Sequence, residues 1–154
     1  MAELRTFEES FADLYRSAYR AGYRMTGDAQ ASEDVASEAL ARAALRWRQI
    51  RGHARPWVVR VSTNLAIDHL RRQSRMVDRG MASVPEGHSD AVHRDVDLHR
   101  ALELLPGRQR EVVVLRYYQG LRSHEVAACT GWPEGTVKSL HHRALATLRG
   151  VIEP

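Results

Sequence analysis

The sequence is short of several things. Among its 154 residues there is one cysteine, Cys129, and one lysine, Lys138. A single cysteine excludes an internal disulfide framework and a cysteine-based zinc site within one chain. Long apolar runs are also missing. The longest stretch without a formal charge is the eight residues from Val126 to Pro133. A membrane span needs about twenty apolar residues, so none is expected. The N-terminal Met1-Ala-Glu-Leu-Arg-Thr lacks a basic start followed by an apolar block, so no signal peptide is expected. The expectation is a soluble cytoplasmic protein. Hydrophobic residues make up 44% and charged residues 27%, which suits a buried core and not a disordered chain.

The basic charge is almost all arginine, and it is unevenly placed. Residues 1–41 carry net −4, residues 42–75 net +8, residues 76–97 net −3 and residues 98–154 net +3. The basic block fits a polyanion and the acidic patch a different partner. The plainer alternative is a set of solvated helix faces.

Apolar periodicity is helical nearly throughout, and no strand is expected. Thr6-Phe-Glu-Glu9 has capping-box form and opens a helix bearing Phe7, Phe11, Leu14, Ala18 and Met25. Thr26-Gly27-Asp28 breaks it, and Asp28 is placed to cap a second helix through Val35, Ala39, Leu40, Ala43, Trp47 and Ile50. Arg51 to Arg55 reads as a loop. Pro56 suits the first turn of a third helix, which is expected to reach about Arg75. Residues 76–93 combine Gly80, Ser83, Pro85, Gly87, Ser89 and Asp90 with little periodicity, as a linker between domains does. Beyond it, helices are expected near 95–105, over about Arg108–Gln119, from Ser123 as cap to about Thr130, and over about Glu134–Arg149. A short helix, the turn Gly131-Trp132-Pro133 and a longer helix form a helix-turn-helix pattern. The expected fold is all-α: two small helical domains, 1–75 and 98–154, joined by a flexible linker at 76–97.

Three constellations carry chemistry. Arg60, Asn64, Asp68, Arg71 and Arg75 are spaced four, four, three and four apart, so they share one helical face, with Arg72 beside it. Arginine binds phosphate, and asparagine bonds base edges. Glu33, Asp34 and Glu38 lie in the first half of the second helix; acids there suit the helix dipole or a basic partner. Lys138, Ser139, His142, Arg143 and Arg149 are placed to face away from Val137, Ala144 and Leu148, as a recognition helix requires. The eight histidines show no metal-ligand spacing. His88, His93 and His99 lie in or beside the linker, His141 and His142 are adjacent, and His53 sits among arginines. No nucleophile elbow, glycine-rich phosphate loop or carboxylate pair with a nearby base occurs. No catalytic residue, metal or cofactor is expected, and Cys129 reads as a small core residue.

Together these pieces resemble the extracytoplasmic-function sigma factors of bacterial RNA polymerase, over roughly residues 7–75 and 98–150. Glu33-Asp34-Val-Ala-Ser37-Glu38-Ala-Leu40 is similar to the polymerase-docking helix. Pro56-Trp57-Val-Val-Arg60-Val-Ser-Thr-Asn64-Leu-Ala-Ile-Asp68-His-Leu70-Arg71-Arg72 is similar to the helix for the minus-ten element. Leu105-Pro106-Gly-Arg-Gln109-Arg110-Glu111-Val-Val-Val-Leu115-Arg116-Tyr117 resembles the start of the second domain. Gly135-Thr136-Val137-Lys138-Ser139, followed by His142-Arg143-Ala144, resembles the recognition helix. The resemblance implies that Glu33, Asp34 and Glu38 meet basic residues on the β′ clamp helices of core RNA polymerase. It implies that Arg51, His53, Arg55 and Asn64 hold a flipped promoter base, with Asp68 on the same face. Arg60, Arg71, Arg72 and Arg75 follow the backbone. Thr136, Lys138, Ser139, His142 and Arg143 belong to the reader of the minus-thirty-five element. Members of the family are commonly held by an anti-sigma protein, a candidate third partner. Ser37 replaces a usual glutamine, Leu140 a usual basic residue and His141 a usual apolar one. The resemblance implies that Leu140 loses a DNA contact and that His141 strains the core or turns outward. It implies no enzymatic activity, since the polymerase does the chemistry. The chain ends soon after the last helix, so no added C-terminal domain is expected. A helix-turn-helix regulator that acts without polymerase needs neither the docking acids nor the +8 block. A metal-dependent enzyme lacks a ligand set.

Overall fold

The computed structural model describes residues 3–80 and 100–152. Helix α1 spans Phe7–Thr26, α2 Ala29–Leu45, the single turn α3 Trp47–Ile50, and α4 Ala54–Asp78. A helical turn at 100–103 precedes α5, Gly107–Val113, which continues as a π-helical turn over Val114–Tyr118. Then come α6, Ser123–Thr130, and α7, Glu134–Ile152. No strand occurs among the described residues. The domain boundaries and most of the 76–97 linker, with His88, His93 and His99, fall on or beside undescribed residues, although α4 runs three residues past Arg75.

Local chemistry sets the helix ends. Thr6 Oγ1 accepts from the Glu9 N–H at 3.2 Å and Glu9 Oε2 from the Thr6 N–H at 2.8 Å, so the capping box closes as expected. Gly27 ends α1 in the left-handed region (φ +64°), and Asp28 Oδ1 caps α2 by accepting from the Gln30 and Ala31 N–H groups. Two expectations shift. The second helix breaks at Arg46 (φ −117°, ψ 15°), so Trp47 and Ile50 fall on α3. Ser123 does not cap α6: the cap residue is Arg122, whose N–H donates to Glu125 Oε1 at 3.0 Å, and Ser123 Oγ accepts from Arg116 Nη1 at 3.0 Å.

In the first half α1, α2 and α4 pack around Leu14, Ala18, Ala36, Ala39, Leu40, Ala43, Ile50 and Val58. The alanines let the axes come close. At Gly22 a Cβ would lie 3.3 Å from Val35 Cγ1, closer than ordinary van der Waals contact, so a side chain there requires Val35 to shift. In the second half Leu102, Leu105, Val113, Val114, Ala144 and Leu148 form one cluster. Arg110 ties the turn at 100–105 to α5 by donating to the carbonyls of Leu102, Glu103 and Leu105.

The two halves also pack on each other. Ala21 and Val59 of the first share a buried cluster with Val112, Leu115, Leu121, Val126, Cys129 and Val137 of the second. Gln119 follows the π-turn, whose bulge is marked by the Gln119 N–H bonding Val114 O at 3.1 Å, and its Nε2 donates to Ala21 O at 3.1 Å. Fully burying a valine contributes about 1.5–3 kcal/mol. A surface ion pair contributes about 0–1 kcal/mol. The apolar contact therefore carries most of the seam.

Candidate functional surfaces

The acidic surface lies on α2. Glu33, Asp34 and Glu38 are all exposed. Because α2 begins at Ala29 with Asp28 as its cap, none of the three sits in the first turn, and the helix dipole does not account for them. Asp34 and Glu38 line a shallow groove between α2 and α4 with Leu65, His69, Arg72 and Met76. Glu33 does not line it. Glu38 Oε1 accepts from Arg42 Nε at 2.9 Å along the helix, an exposed pair that a stronger partner can displace. Ser37 is exposed on the same helix.

The α4 residues divide. Asn64, Asp68 and Arg71 are exposed and line one cavity of about 300 Å³ with Gly107, Arg110 and Glu111 across the seam. Arg60 points into the same seam, where Nε pairs with Glu111 Oε1 and Nη1 donates to Cys129 O at 3.4 Å. Arg75 lines the adjoining groove with Met25, Leu70 and Leu102. Arg72 faces the other way, into the groove of Asp34 and Glu38, as its place beside the stripe predicts. The loop before α4 is shorter than expected, since the helix starts at Ala54. Arg51 is exposed, His53 is half-buried at the helix N-cap without a side-chain bond there, and Arg55 Nη1 donates to Glu125 Oε2 at 3.0 Å.

On α7, Val137, Ala144 and Leu148 are buried, while Lys138, Ser139, His142 and Arg143 are exposed and Thr136 is half-buried. Gly131 (φ +79°) makes the sharp turn from α6. Lys138 Nζ lies 3.4 Å from Glu134 Oε1, an exposed pair. Leu140 packs against the seam cluster. His141 turns toward the surface, half-buried beside the exposed Tyr117: its Nε2 lies 3.1 Å from Tyr117 Oη and its ring 5.5 Å from the tyrosine ring. Burial, then the Arg116 and His142 charges, lower the His141 pKa below the ordinary 6.5. The fold thus favours neutral imidazole, and the unfolded chain binds the proton more readily. Stability from this site is present above the ordinary histidine range and is lost as pH falls below it. Thermal melts between pH 7.5 and 5.5 should show a falling Tm, and His141→Gln should flatten that slope. Identical slopes would refute the assignment.

Burial pushes the Cys129 thiol up to about 11, and its Sγ bonds Val126 O at 3.4 Å, in keeping with a core role. Among the described residues no group of three His, Cys, Asp or Glu could hold a metal ion, and no helix is long and apolar enough to cross a membrane. Glu111, Glu125 and Gln119, which meet the first half across the seam, carry no periodic signal: their partners lie 51, 70 and 98 residues away.

Residues 11–76 match the family described as Sigma-70 region 2, and residues 95–148 match Sigma-70, region 4. The RNA polymerase sigma-E factor of Streptomyces coelicolor is 34% identical, over 97% of this chain and 87% of that protein. The ECF RNA polymerase sigma factor SigL of Mycobacterium tuberculosis is 35% identical, over 93% of this chain and 84% of that protein. Among solved structures, the sigma factor RpoE of Bartonella quintana in complex with the anti-sigma factor NepR aligns over 96% of both chains with a TM-score of 0.56 at 20% identity, a likeness of fold. With both sigma-70 regions in order and such relatives matched over nearly their whole length, the chain belongs to the extracytoplasmic-function sigma factors of the sigma-70 family.

Proposed function

We propose a division of labour over three surfaces. A sigma factor directs core RNA polymerase to promoters and is itself no enzyme. In this chain Asp34 and Glu38, with Glu33 beside them, dock on the basic clamp helices of the polymerase β′ subunit. Arg51, His53, Arg55 and Asn64 hold a base extruded from the minus-ten strand, whose flipping costs a few kcal/mol that the pocket offsets. Arg60, Arg71, Arg72 and Arg75 track the phosphates, and Asp68 lies among them. Thr136, Lys138, Ser139, His142 and Arg143 read the upstream element in the major groove. The units divide near residues 75 and 98. Its place of work is the cytoplasm, where polymerase and promoters are, and an anti-sigma protein is its candidate regulator. The observation that carries this reading is the exposed acid pair on α2, which no cap or dipole explains, on the same unit as the +8 block. A DNA-only regulator has no use for that pair.

The test is transcription by core polymerase with and without the chain on a randomised promoter library. The expected transcripts start downstream of one two-part sequence. Start sites identical to those of core polymerase alone would overturn the proposal.

Lys138 and Arg143 should not be equivalent on the upstream element. Loss of a phosphate contact weakens binding across all sequences and lowers the salt slope by about one unit. Loss of a base-edge contact relaxes preference at one position and costs about 1–3 kcal/mol. Leu140, partly buried, packs against the seam cluster, so α7 depends more heavily on these two. Binding of Lys138→Ala and Arg143→Ala chains to duplex variants at two salt concentrations separates the roles. Unchanged affinity and preference in both would remove α7 as the reader.

A further inference from the structure

The groove that Arg75 lines holds a cavity of about 320 Å³. Its walls are largely apolar: Met25 at the end of α1, Ile67 and Leu70 on α4, and Leu102 and Val114 from the second half. Three arginines also line it, Arg71 and Arg75 from α4 and Arg110 from α5, against one carboxylate, Glu103. The neighbouring cavity differs, because Asp68 and Glu111 there balance Arg71 and Arg110. Arg71 and Arg75 stand one turn apart, and among the described residues neither has a carboxylate within ion-pair distance. Arg110 is fixed in place: its Nε and Nη2 donate to the carbonyls of Leu102, Glu103 and Leu105, which are neutral and leave its charge uncancelled. Like charges held around an apolar wall repel one another, and an anion placed among them relieves that repulsion.

An apolar pocket with a few converging polar groups is the general form of a small-molecule site. Volume sets the size of the occupant. A dry cavity of about 150 Å³ holds benzene, so this one takes a body of about ten to twelve carbons. We propose that the cavity binds a small apolar carboxylate of that size, its body against Met25, Leu70 and Leu102 and its head on Arg71 and Arg75. Guanidinium forks match a carboxylate in geometry as well as in charge. The walls come from α1, α4 and the second half, so the ligand binds the folded chain and not the unfolded one, and it raises Tm. The proposal needs only the cavity and its charges, and is independent of what α4 does on a promoter.

The experiment uses the full chain and the probe 2-naphthoate, beside its uncharged analogue 2-naphthamide. Equilibrium dialysis reads affinity and stoichiometry, and thermal melts read stability. The wild type should bind one naphthoate per chain, about tenfold more tightly than naphthamide, because only the carboxylate makes charge-assisted bonds. At ten times its Kd the probe should raise Tm by about 3–6 °C. Arg71→Gln and Arg75→Gln should each weaken naphthoate about fivefold to tenfold and leave naphthamide unchanged. Ser74 is exposed at the cavity's edge, so Ser74→Trp leaves the core intact, fills the space with an indole and should abolish binding of both probes. Arg48 is exposed on α3, so Arg48→Gln removes one charge elsewhere and should bind as the wild type does. Equal affinity for naphthoate and naphthamide, or equal affinity of the Arg71→Gln, Arg75→Gln and Arg48→Gln chains for naphthoate, would overturn the proposal. So would the absence of saturable binding by the wild type up to about 1 mM probe. Undiminished binding by a folded Ser74→Trp chain would place the probe elsewhere and sink the assignment of this cavity.

Discussion

Asp34→Arg combined with Glu38→Arg should abolish retention of the chain by core RNA polymerase. The motive is geometric. The acids are one helical turn apart, exposed, and share a groove with Leu65 and Met76 that offers a partner both charge and apolar area. A basic clamp surface meeting two arginines there replaces attraction by repulsion, and like charges across a contact cost several kcal/mol. The expected loss is at least about 100-fold in Kd, since every 1.4 kcal/mol is tenfold. The fold should survive. Both side chains lie on the surface, where substitutions stay within about 0.5 kcal/mol, and the lost Glu38–Arg42 pair contributes about 0.2–0.5 kcal/mol. Co-purification with core polymerase, beside a thermal melt, measures both. Normal retention by a folded double variant would end the docking assignment.

Asn64→Ala should impair promoter opening far more than duplex binding. Asn64 is exposed on α4, four residues from Arg60, and borders the cavity across from Glu111. An amide there offers both a donor and an acceptor to the edge of an extruded base, and a good pair of such bonds contributes about 1–3 kcal/mol. The rate of open-complex formation should fall by about tenfold to a hundredfold, while upstream duplex affinity, which the proposal assigns to α7, stays unchanged. Permanganate footprinting reads the melted thymines. A pre-melted template should restore part of the activity, because the unpairing cost no longer applies. Full footprints at saturating Asn64→Ala protein would remove Asn64 from the melting machinery.

Much of this was legible in the residues alone. A 3.6-residue apolar period, the Thr6–Glu9 box, Asp28, and the glycines at 27 and 131 depend only on neighbours three or four positions away, and each does locally what its chemistry requires. The exposure of Asp34, Glu38, Lys138, Ser139, His142 and Arg143 follows from the same period, because the apolar positions between them claim the core. Tertiary structure decided what a period cannot express. It broke the second helix at Arg46 and took Ser123 away from its cap to serve Arg116. It gave His141 a tyrosine partner 24 residues distant, which is why an imidazole at a usual apolar position is tolerated. It set Gly107, Arg110 and Glu111 of the second half across a cavity from Asn64, Asp68 and Arg71. Above all, it brought Glu111 to Arg60 and Gln119 to Ala21. Those pairings join segments that fold as separate helices, and only the packing of Val59 and Ala21 against Val112, Leu115 and Val126 sets which charges meet, since apolar burial is blind to the identity of the polar groups it carries together.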